Sequence, residues 1–379
     1  MRILSSWGDL FVSFAERDLI HERIFSQLSA LLGQIDQYTG ARMRYSDACH
    51  DNHSMRDFFW QAMWILRWQK TTDPKDEVYG LLGLFGNQTR KIMNADYSLT
   101  AFQAITQCTI AMIKSDNNLR ALVGSRSCRQ PGTPSWTPDL QVLESSLSPT
   151  VSSRNSHYII RTIRSFELFK ASRESRLQYL HTASTLTLNE IRLDVIIETT
   201  TVSRFVSETK AFWALRVFEE WGSLVTNVGK RDEHSFCSLV LEGTIISSNG
   251  PTRGLRRAVP ADKECYNYFF NRAGCRPSSG SPSRIQLKNF KGSADAVIYY
   301  RAPFKTSRGY VGHPYSPQPG DEGWILFGGN VPFLLRPCPE ESEHAGCYQL
   351  IGDCYVHGTM DGEAMEGLKE EDVKTVTLV

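Results

Sequence analysis

The hydrophobic pattern of this 379-residue chain changes its period near residue 157. Up to that point apolar residues recur at helical spacing, as they do between Leu10 and Ile35. Beyond it, segments such as 185–197 are rich in β-branched side chains and mix apolar with polar residues in alternation. The two periods predict an α+β fold, in which an N-terminal helical subdomain over 1–130 precedes an antiparallel β-rich, barrel- or sandwich-like subdomain over 131–379.

The predicted strands fall into two groups that are far apart in the sequence. The first group lies within 157–199 and the second within 295–357. The strand patterns of the first group cover 157–163, 166–170 and 185–197. Between the groups, at about 201–292, the pattern predicts an insertion of helices and loops. Strands on both sides of this insertion must therefore share one sheet or barrel.

Glycine turns in the last quarter of the chain predict two hairpins. One turn is Gly328-Gly329-Asn330 and the other is Gly352-Asp353, and each lies between two short runs of β-forming residues. The acidic segment 363–372 that follows predicts a terminal helix or a frayed end.

Charge and composition argue against several classes of protein. Lys and Arg total 42 against 41 for Asp and Glu, and the net charge of +1 gives no general basic character of the kind that nucleic-acid binding needs. No uncharged apolar run approaches the ~20 residues of a membrane span, and the N-terminus lacks the apolar region of a secretory leader. The nine scattered cysteines then favour reduced thiols and a cytoplasmic location.

The segment Thr71–Phe85 places three carboxylates beside a proline and then becomes apolar. Its spacing predicts a helix start with Asp73 as the N-cap, Pro74 at the first helical position and Asp76 at the positive end of the helix dipole. Gly83 is predicted to end this helix in a left-handed conformation. The same acids are also competent metal ligands or acid–base groups, and the residues alone leave that alternative open.

Two further segments give local predictions. Thr100 and Gln103 fit a capping box, and the helix that follows is expected to lie in the core without chemistry of its own. Three prolines and a glycine in 131–138 exclude a helix there. That segment is predicted to be an extended crossing anchored by Trp136.

Candidate metal ligands cluster near the C-terminus. Five side chains that can bind zinc lie close together in the sequence: Cys338, His344, Cys347, Cys354 and His357. No Cys-x-x-Cys pair occurs among them, so ordinary buried thiols are expected instead of a metal site. A second cluster, Cys49-His50-Asp51-Asn52-His53, is interpreted as a solvated turn. Phosphate-binding, dinucleotide-binding and nucleophile-elbow motifs are missing, and we expect no metal, no cofactor and no catalytic residues.

Several motifs occur in a characteristic order. They are Thr72–Leu84, Ala95–Ser98, Pro134–Asp139, Gly320-Asp321, Gly328–Arg336 and Tyr355–Glu363. Together they resemble the fungal heterokaryon incompatibility (HET domain) proteins, over roughly residues 60 to 363. The motif residues that carry the resemblance are Asp73, Pro74, Asp76, Tyr79, Gly83, Asp96, Tyr97, Trp136, Gly328, Gly329, Arg336, His357, Gly358, Asp361, Gly362 and Glu363.

One departure from the family limits what the resemblance implies. The Leu-Ser-Tyr-x-Trp-Gly-type motif of the HET domain, which is similar to the Toll/interleukin-receptor fold, is not found in this chain. The chain therefore resembles the region that follows that domain, as in a truncated gene product. The resemblance implies self/non-self recognition between fungal cells, with cell death as the outcome. It also implies protein partners, either other incompatibility proteins or the missing lobe, and any NAD cleavage would belong to that lobe.

Three functional hypotheses follow from the sequence. The leading one is a non-enzymatic regulatory or scaffold region. The second is an enzyme whose site is assembled from distant motif segments; its candidate groups are Asp73, Asp76, His357, Asp361 and Glu363. This hypothesis gains if the histidine and two of the acids converge in an open pocket, and loses if each of them caps or pairs locally. The third is a ligand-sensing β-module, which requires an apolar pocket beside the Gly328-Gly329 turn.

Overall fold

The computed structural model describes ten parts of the chain. They are residues 71–85, 93–124, 132–138, 161, 164–200, 221–224, 233–247, 254–270, 282–314 and 316–379. The predicted helix between Leu10 and Ile35 and the Cys49–His53 cluster lie outside these parts. The predicted strand 157–163 also lies outside them except for Arg161, which is helical.

Two helices begin the described chain, α1 (Asp76–Phe85) and α2 (Ala101–Asp116). The predicted capping box of α2 is confirmed, because the Thr100 hydroxyl accepts the Gln103 N–H while the Gln103 side chain accepts the Thr100 N–H at 2.9 Å. Asn117, with φ of 51°, ends α2 in the left-handed conformation, and a 3-10 turn follows at Arg120–Leu122.

The start of α1 agrees with the prediction from the sequence, but its end does not. Asp73 Oδ1 accepts the Lys75 N–H at 2.9 Å, as an N-cap side chain does, and the regular helix begins at Asp76. The prediction that Gly83 ends the helix is wrong, because α1 continues to Phe85. A glycine ends a helix only when its φ becomes positive, and Gly83 keeps the helical backbone.

Ten strands lie in the described residues. They are β1 (Tyr179–His181), β2 (Leu186–Thr199), β3 (Thr244–Ser247), β4 (Gly254–Arg257), β5 (Phe304–Thr306), β6 (Val311–Pro314), β7 (Glu322–Leu326), β8 (Phe333–Pro337), β9 (Tyr348–Val356) and β10 (Lys374–Leu378). Strands β3 and β4 form a separate hairpin, and the other eight form one sheet.

The large sheet closes on itself. Its strands follow the order β2-β5-β6-β9-β8-β7, and β7 pairs with β2 again, so that six strands form a ring. Strands β1 and β10 lie beside the ring and both pair with β2, so the sheet is barrel-like without being a plain barrel. All pairings are antiparallel except that of β10 with β9. Strand β2 precedes the insertion while β5 and β7 follow it, and the prediction that strands on both sides share one sheet is confirmed.

The two hairpin predictions have opposite outcomes. Strands β7 and β8 do form the first hairpin, around Gly328-Gly329-Asn330. The second is wrong, because residues 348–356 form the single strand β9. Gly352 pairs with Leu334 and Asp353 with Phe333, beside a bulge at Ile351, and here the strand passes close to Gly124. A Cβ on residue 352 would lie 3.1 Å from the Gly124 carbonyl oxygen, so this glycine permits a close approach and makes no turn.

Two other segments also differ from the sequence predictions. Residues 164–168, which overlap the predicted strand 166–170, are helical, and the side chains of Phe166 within the helix and Phe169 just after it are buried. The acidic segment 363–372 forms two 3-10 turns, Glu363–Met365 and Glu370–Asp372, where the sequence predicts a terminal helix or a frayed end. The strand β10 that follows was not predicted.

The insertion has a hydrophobic core of its own. It contains the β3–β4 hairpin and the helices α3 (Glu233–Leu241), α4 (Pro260–Phe270) and α5 (Arg284–Tyr300). Its buried cluster consists of Trp221, Cys237, Val240, Leu241, Ile245, Cys265, Phe290, Ala294 and Val297. Helix α5 begins with a capping box on Ser283 and extends beyond residue 292 to Tyr300. The domain boundary at residue 130 and the insertion bounds at 201–292 stay predictions.

The large sheet carries a different apolar cluster on each face. Residues Trp324 and Leu326 of β7 belong to one cluster, together with Val78 of α1 and Ile105 of α2. The intervening Ile325 belongs to another, whose buried members come from the ring strands and from Ala171. This alternation is the period of a strand, and it places the helices on the outer face and the second cluster inside the ring. The predicted helical N-terminal part and the sheet therefore share one core.

Candidate functional site

The acids of the first motif join α1 to the second motif. Tyr97 donates its hydroxyl to Asp76 Oδ1 at 2.6 Å, and Lys75 Nζ donates to the Tyr97 carbonyl at 3.0 Å. Tyr79 donates to the Asp96 carbonyl at 2.9 Å, and the Tyr79 and Tyr97 rings meet edge-on with centroids 5.1 Å apart. The hydrogen bond to Asp76 raises the pKa of Tyr97. These contacts connect two motifs that are separate in the sequence, and they use one carboxylate oxygen of Asp76. Asp73 instead accepts the Lys75 N–H and lies 3.4 Å from Lys75 Nζ.

Asp96 is used within its own turn. Its Oδ1 accepts the backbone N–H of Ser98 at 2.9 Å and the Ser98 hydroxyl at 2.6 Å. These two bonds lower the pKa of Asp96, the hydroxyl bond contributing most. Residues 95–98 therefore form an Asx-type turn that presents Tyr97 to α1.

The last motif forms a tight turn after β9. His357 Nδ1 lies 3.2 Å from the Tyr355 hydroxyl, Glu363 accepts the Asp361 N–H at 2.8 Å, and Asp361 pairs with Arg257 from β4. Two glycines permit the turn, Gly358 with φ of 81° and Gly362 with φ of 87°. The carboxylates of this motif therefore bond to their own turn or to the insertion.

An ion pair fixes the β7–β8 hairpin. Arg336 donates from Nε to Asp321 Oδ1 at 2.7 Å and from Nη2 to Asp321 Oδ2 at 3.0 Å, which is a bidentate pair. Asp321 is buried and also accepts the Gln318 N–H at 2.8 Å. Asp321 and Arg336 lie at the outer ends of this hairpin and therefore bond each other.

The turn of the same hairpin is closely packed. A Cβ on Gly328 would lie 2.9 Å from Leu177 Cβ, and one on Gly329 would lie 2.7 Å from the Phe333 ring. The ligand-sensing hypothesis requires an apolar pocket beside this turn, and these neighbours fill that space. An open groove lies elsewhere, between α2 and the β1–β2 turn, and its walls include Ile110 and His181.

The Pro134–Asp139 motif anchors the end of the chain. Trp136 is fully buried, as predicted, and donates its indole N–H to the Ser184 carbonyl at 3.3 Å. Ser135 donates its N–H to the Val379 carbonyl at 2.8 Å and accepts the Leu350 N–H at 2.8 Å with its hydroxyl. This segment therefore ties β9 and the residue after β10 to the α2 side of the core.

The most buried group of charges was missed by sequence analysis. We call it the polar junction, and it consists of Arg161, Glu242, Arg301 and Asp353, each at most 5% exposed. Arg301 lies 2.6 Å from Asp353 Oδ2 and 3.3 Å from Glu242 Oε1. Arg161 lies 3.3 Å from Glu242 Oε2. Two cations and two anions therefore compensate each other in a site with little access to water.

Further hydrogen bonds hold the polar junction between the insertion and the ring. Arg161 Nη1 donates to the Leu241 carbonyl at 2.7 Å and to the Thr244 hydroxyl at 2.6 Å. On the ring side, Asp353 Oδ1 accepts the Gly124 N–H at 2.8 Å. Burial lowers the pKa of Arg161 to about 10, against the opposing effect of Glu242, so this arginine remains charged at neutral pH.

No local pattern could have revealed the polar junction. Its members are spread from residue 161 to residue 353 and meet only through tertiary structure. The one available signal was Asp353, whose position beside Gly352 led to the wrong prediction of a turn. A carboxylate within a strand that is otherwise apolar indicates a buried partner.

The cysteines of the candidate zinc cluster lie on or beside β8 and β9. Cys354 lies inside the ring, where burial raises the pKa of its thiol well above the ordinary range. Cys338 and Cys347 are joined through backbone atoms, the Cys338 N–H donating to the Cys347 carbonyl at 2.9 Å. Within the described ranges, no three potential ligand side chains are grouped to hold a metal ion. Across the same ranges, no helix combines the length and apolar character needed to cross a membrane.

Comparison with known proteins relates the last part of the chain to a known family. Residues 288–376 match the Het-6 beta-barrel domain family, a range that covers most of α5 and all or most of β5 to β10 but omits β2. The chain is also 36% identical over 73 residues to "Heterokaryon incompatibility protein 6, OR allele" of Neurospora crassa. That alignment covers 19% of this chain and 10% of the relative. No solved structure matches the chain. The C-terminal part is thus related to the fungal heterokaryon incompatibility proteins.

Proposed function

From the relation of its C-terminal part to fungal heterokaryon incompatibility proteins, we propose that this chain is a non-enzymatic regulatory or scaffold region of such a protein. It acts in self/non-self recognition between fungal cells, with cell death as the response, and it works through protein partners. Those partners are other incompatibility proteins or a chain that carries a HET domain. The match over residues 288–376 supports the family, and the motif contacts support the absence of catalysis.

The observation that carries the proposal is how the motif carboxylates are used. A catalytic site needs polar groups that converge on a space where a substrate can bind. Asp73 caps α1, Asp76 bonds Tyr97, and Asp321 bonds Arg336. Glu363 accepts the Asp361 N–H within the turn, and Asp361 pairs with Arg257 of the insertion. Polar groups used in this way hold segments of the fold together, which is the task of a scaffold.

Expression in a fungal host tests this proposal. The chain is expressed alone and together with a full-length chain that carries a HET domain, and cell viability is scored in both strains. We expect death only in the strain that expresses both chains. A matched pair of variants controls for folding. Asp353→Leu, which breaks the polar junction, is expected to abolish the joint response, and Glu371→Gln on the exposed surface is expected to preserve it. Death caused by this chain alone would refute the proposal.

A further inference from the structure

Two carboxylates that belong to none of the motifs are buried on neighbouring strands. Glu190 lies in β2 and is 0% exposed, and Glu322 lies in β7 and is 7% exposed. Strands β2 and β7 pair directly, with Glu190 opposite Leu326 and Val195 opposite Glu322. Neither acid takes part in the proposed function.

These acids differ in their partners. Glu322 Oε1 accepts a hydrogen bond from Arg192 Nη2 at 2.7 Å. Both carboxylate oxygens of Glu190 are buried without a hydrogen-bond partner. Buried polar atoms are nearly always paired, and an ionised carboxylate without a partner is among the most unfavourable of buried groups. Glu190 therefore fits its surroundings as a neutral acid.

The charged and titratable neighbours of Glu190 come from four strands. On its own strand there is Arg192, whose side chain is 47% exposed and which already pairs with Glu322. On β10, Lys374 stands directly opposite Glu190 in the register. On β7 there is Glu322, and on β9 there is Tyr348, whose pKa is raised by burial and then by Glu322. Burial raises the pKa of Glu190 to about 7, and Glu322 adds to this shift while Lys374 and Arg192 oppose it.

Strand β10 is the element best placed to respond to a charge on Glu190. It pairs with β2 over five residues, from Lys374 opposite Glu190 to Leu378 opposite Leu186, but with β9 only at Leu378. Nearly all of its pairing therefore depends on β2. The end of β10 beside Glu190 is exposed at Lys374 and Thr375, and exposed strand ends are among the elements that open locally at a small free-energy cost.

We propose that Glu190 is a proton-operated latch, which holds β10 against β2 while its carboxyl group is protonated and releases β10 when the proton is lost. The step is a simple ionisation, in which the Glu190 O–H bond breaks and the proton passes to water. The carboxylate that remains can be hydrated only if the strand beside it opens. Lys374 stays solvent-exposed and moves with the strand.

The direction of the pH effect follows from the two states. When β10 is open, Glu190 is hydrated and titrates near its ordinary pKa of 4.5, whereas in the closed state its pKa is about 7. Between these two values the closed state binds more protons than the open state, so its stability falls as the pH rises. Below pH 4.5 both states are protonated and above about pH 7 both are ionised, and the dependence levels off at either end.

Hydrogen exchange tests the latch in the full chain. Amide protection in β10 is measured from pH 5 to pH 8 and corrected for the intrinsic exchange rates. We expect protection to fall by about tenfold or more over this range in the wild type. It should be independent of pH in Glu190→Gln, where no proton can be lost. The matched control is Glu198→Gln on the exposed part of the same strand, which should keep the wild-type dependence. A pH-independent wild type, or an unchanged dependence in Glu190→Gln, would overturn the proposal.

Two further measurements keep the test decisive. Low concentrations of urea should leave the exchange of β10 unchanged, because a local opening exposes little surface. If urea accelerates β10 as much as the core amides, the opening is global and the latch is wrong. If Glu190→Gln does not fold, infrared spectra of the wild type still decide the matter. A protonated carboxyl band is expected at pH 6 and should be lost by pH 8, and its absence at pH 6 would contradict the proposal.

Discussion

At the scale of single residues, the motifs work by bringing one polar group to one partner. Asp321 and Arg336 show this most clearly, since the two residues make a bidentate pair across the β7–β8 hairpin. Asp321 is buried, while Arg336 remains partly exposed. Removal of the acid leaves the arginine without its buried partner and the Gln318 N–H without its acceptor.

Asp321→Asn should therefore lower the free energy of unfolding by about 2 kcal/mol, as expected when hydrogen bonds to a charged group are lost. Chemical denaturation measures the change. Glu371→Gln, at an exposed position near the C-terminus, is the control and should change the free energy by less than about 0.5 kcal/mol. A loss as small as that control for Asp321→Asn would show that the pair has no structural role.

Two glycines with similar backbone angles allow the effect of an alanine substitution to be compared. Gly362 and Gly367 have φ of 87° and 72°, so alanine is strained at both positions. A Cβ on Gly362 would also overlap the Arg173 side chain, whereas a Cβ on Gly367 would point into open space. Gly362→Ala should lower the free energy of unfolding by about 1 kcal/mol more than Gly367→Ala does. Equal losses in thermal or chemical denaturation would mean that Arg173 moves away freely.

At the scale of elements, the polar junction connects an insertion that has its own core to the ring. Asp353 of β9 is joined through Arg301 to Glu242, which follows α3. The charges of the polar junction compensate each other only while all four residues are present, because a charge left without its partner stays buried. The connection between insertion and ring therefore depends on electrostatic balance as well as on apolar packing.

A double-mutant cycle tests this balance. Asp353→Leu alone should lower the free energy of unfolding by about 3 to 5 kcal/mol, since it leaves one arginine in excess. The double variant Arg301→Met/Asp353→Leu removes one charge of each sign and should recover a large part of that loss. Chemical denaturation of the two single variants and the double variant measures the coupling. Additive losses would contradict the mutual compensation described here.

The same scale shows what the sequence can and cannot predict. The capping box at Thr100, the long strand β2 and the β7–β8 hairpin depend on local pattern, and all three were predicted correctly. The end of α1 and the continuity of β9 depend on whether a glycine adopts a positive φ or permits a close contact, which its neighbours in space decide. The polar junction and Glu190 depend on tertiary contacts alone. Residues that are distant in sequence leave no pattern from which such contacts can be predicted.

At the scale of the whole molecule, the family match does not contain a complete ring. Residues 288–376 supply β5 to β9 and most of β10, but the ring closes only through β2, which lies before the insertion. Strand β2 pairs with β5, β7 and β10, which lie in the matched range, and with β1, which lies before it. Without β2, the edges of β5 and β7 are unpaired on that side and the outer core is open.

A fragment of residues 288–379 should therefore not fold cooperatively by itself. Circular dichroism and thermal unfolding of this fragment, compared with the full chain, provide the measurement. A sharp, reversible transition in the isolated fragment would show that β2 is dispensable.

The central claim is that the motif residues act by holding the fold together and do not act on a substrate. The most direct measurement compares the response of the fungal host with the free energy of unfolding for a set of motif variants. The set comprises Asp73→Asn, Asp76→Asn, Asp321→Asn, His357→Gln, Asp361→Asn and Glu363→Gln. If the claim is correct, the response follows stability along one curve, and every variant that keeps its stability keeps the response. A variant that retains its full free energy of unfolding but abolishes the response would contradict the claim and would identify that residue as part of a chemical site.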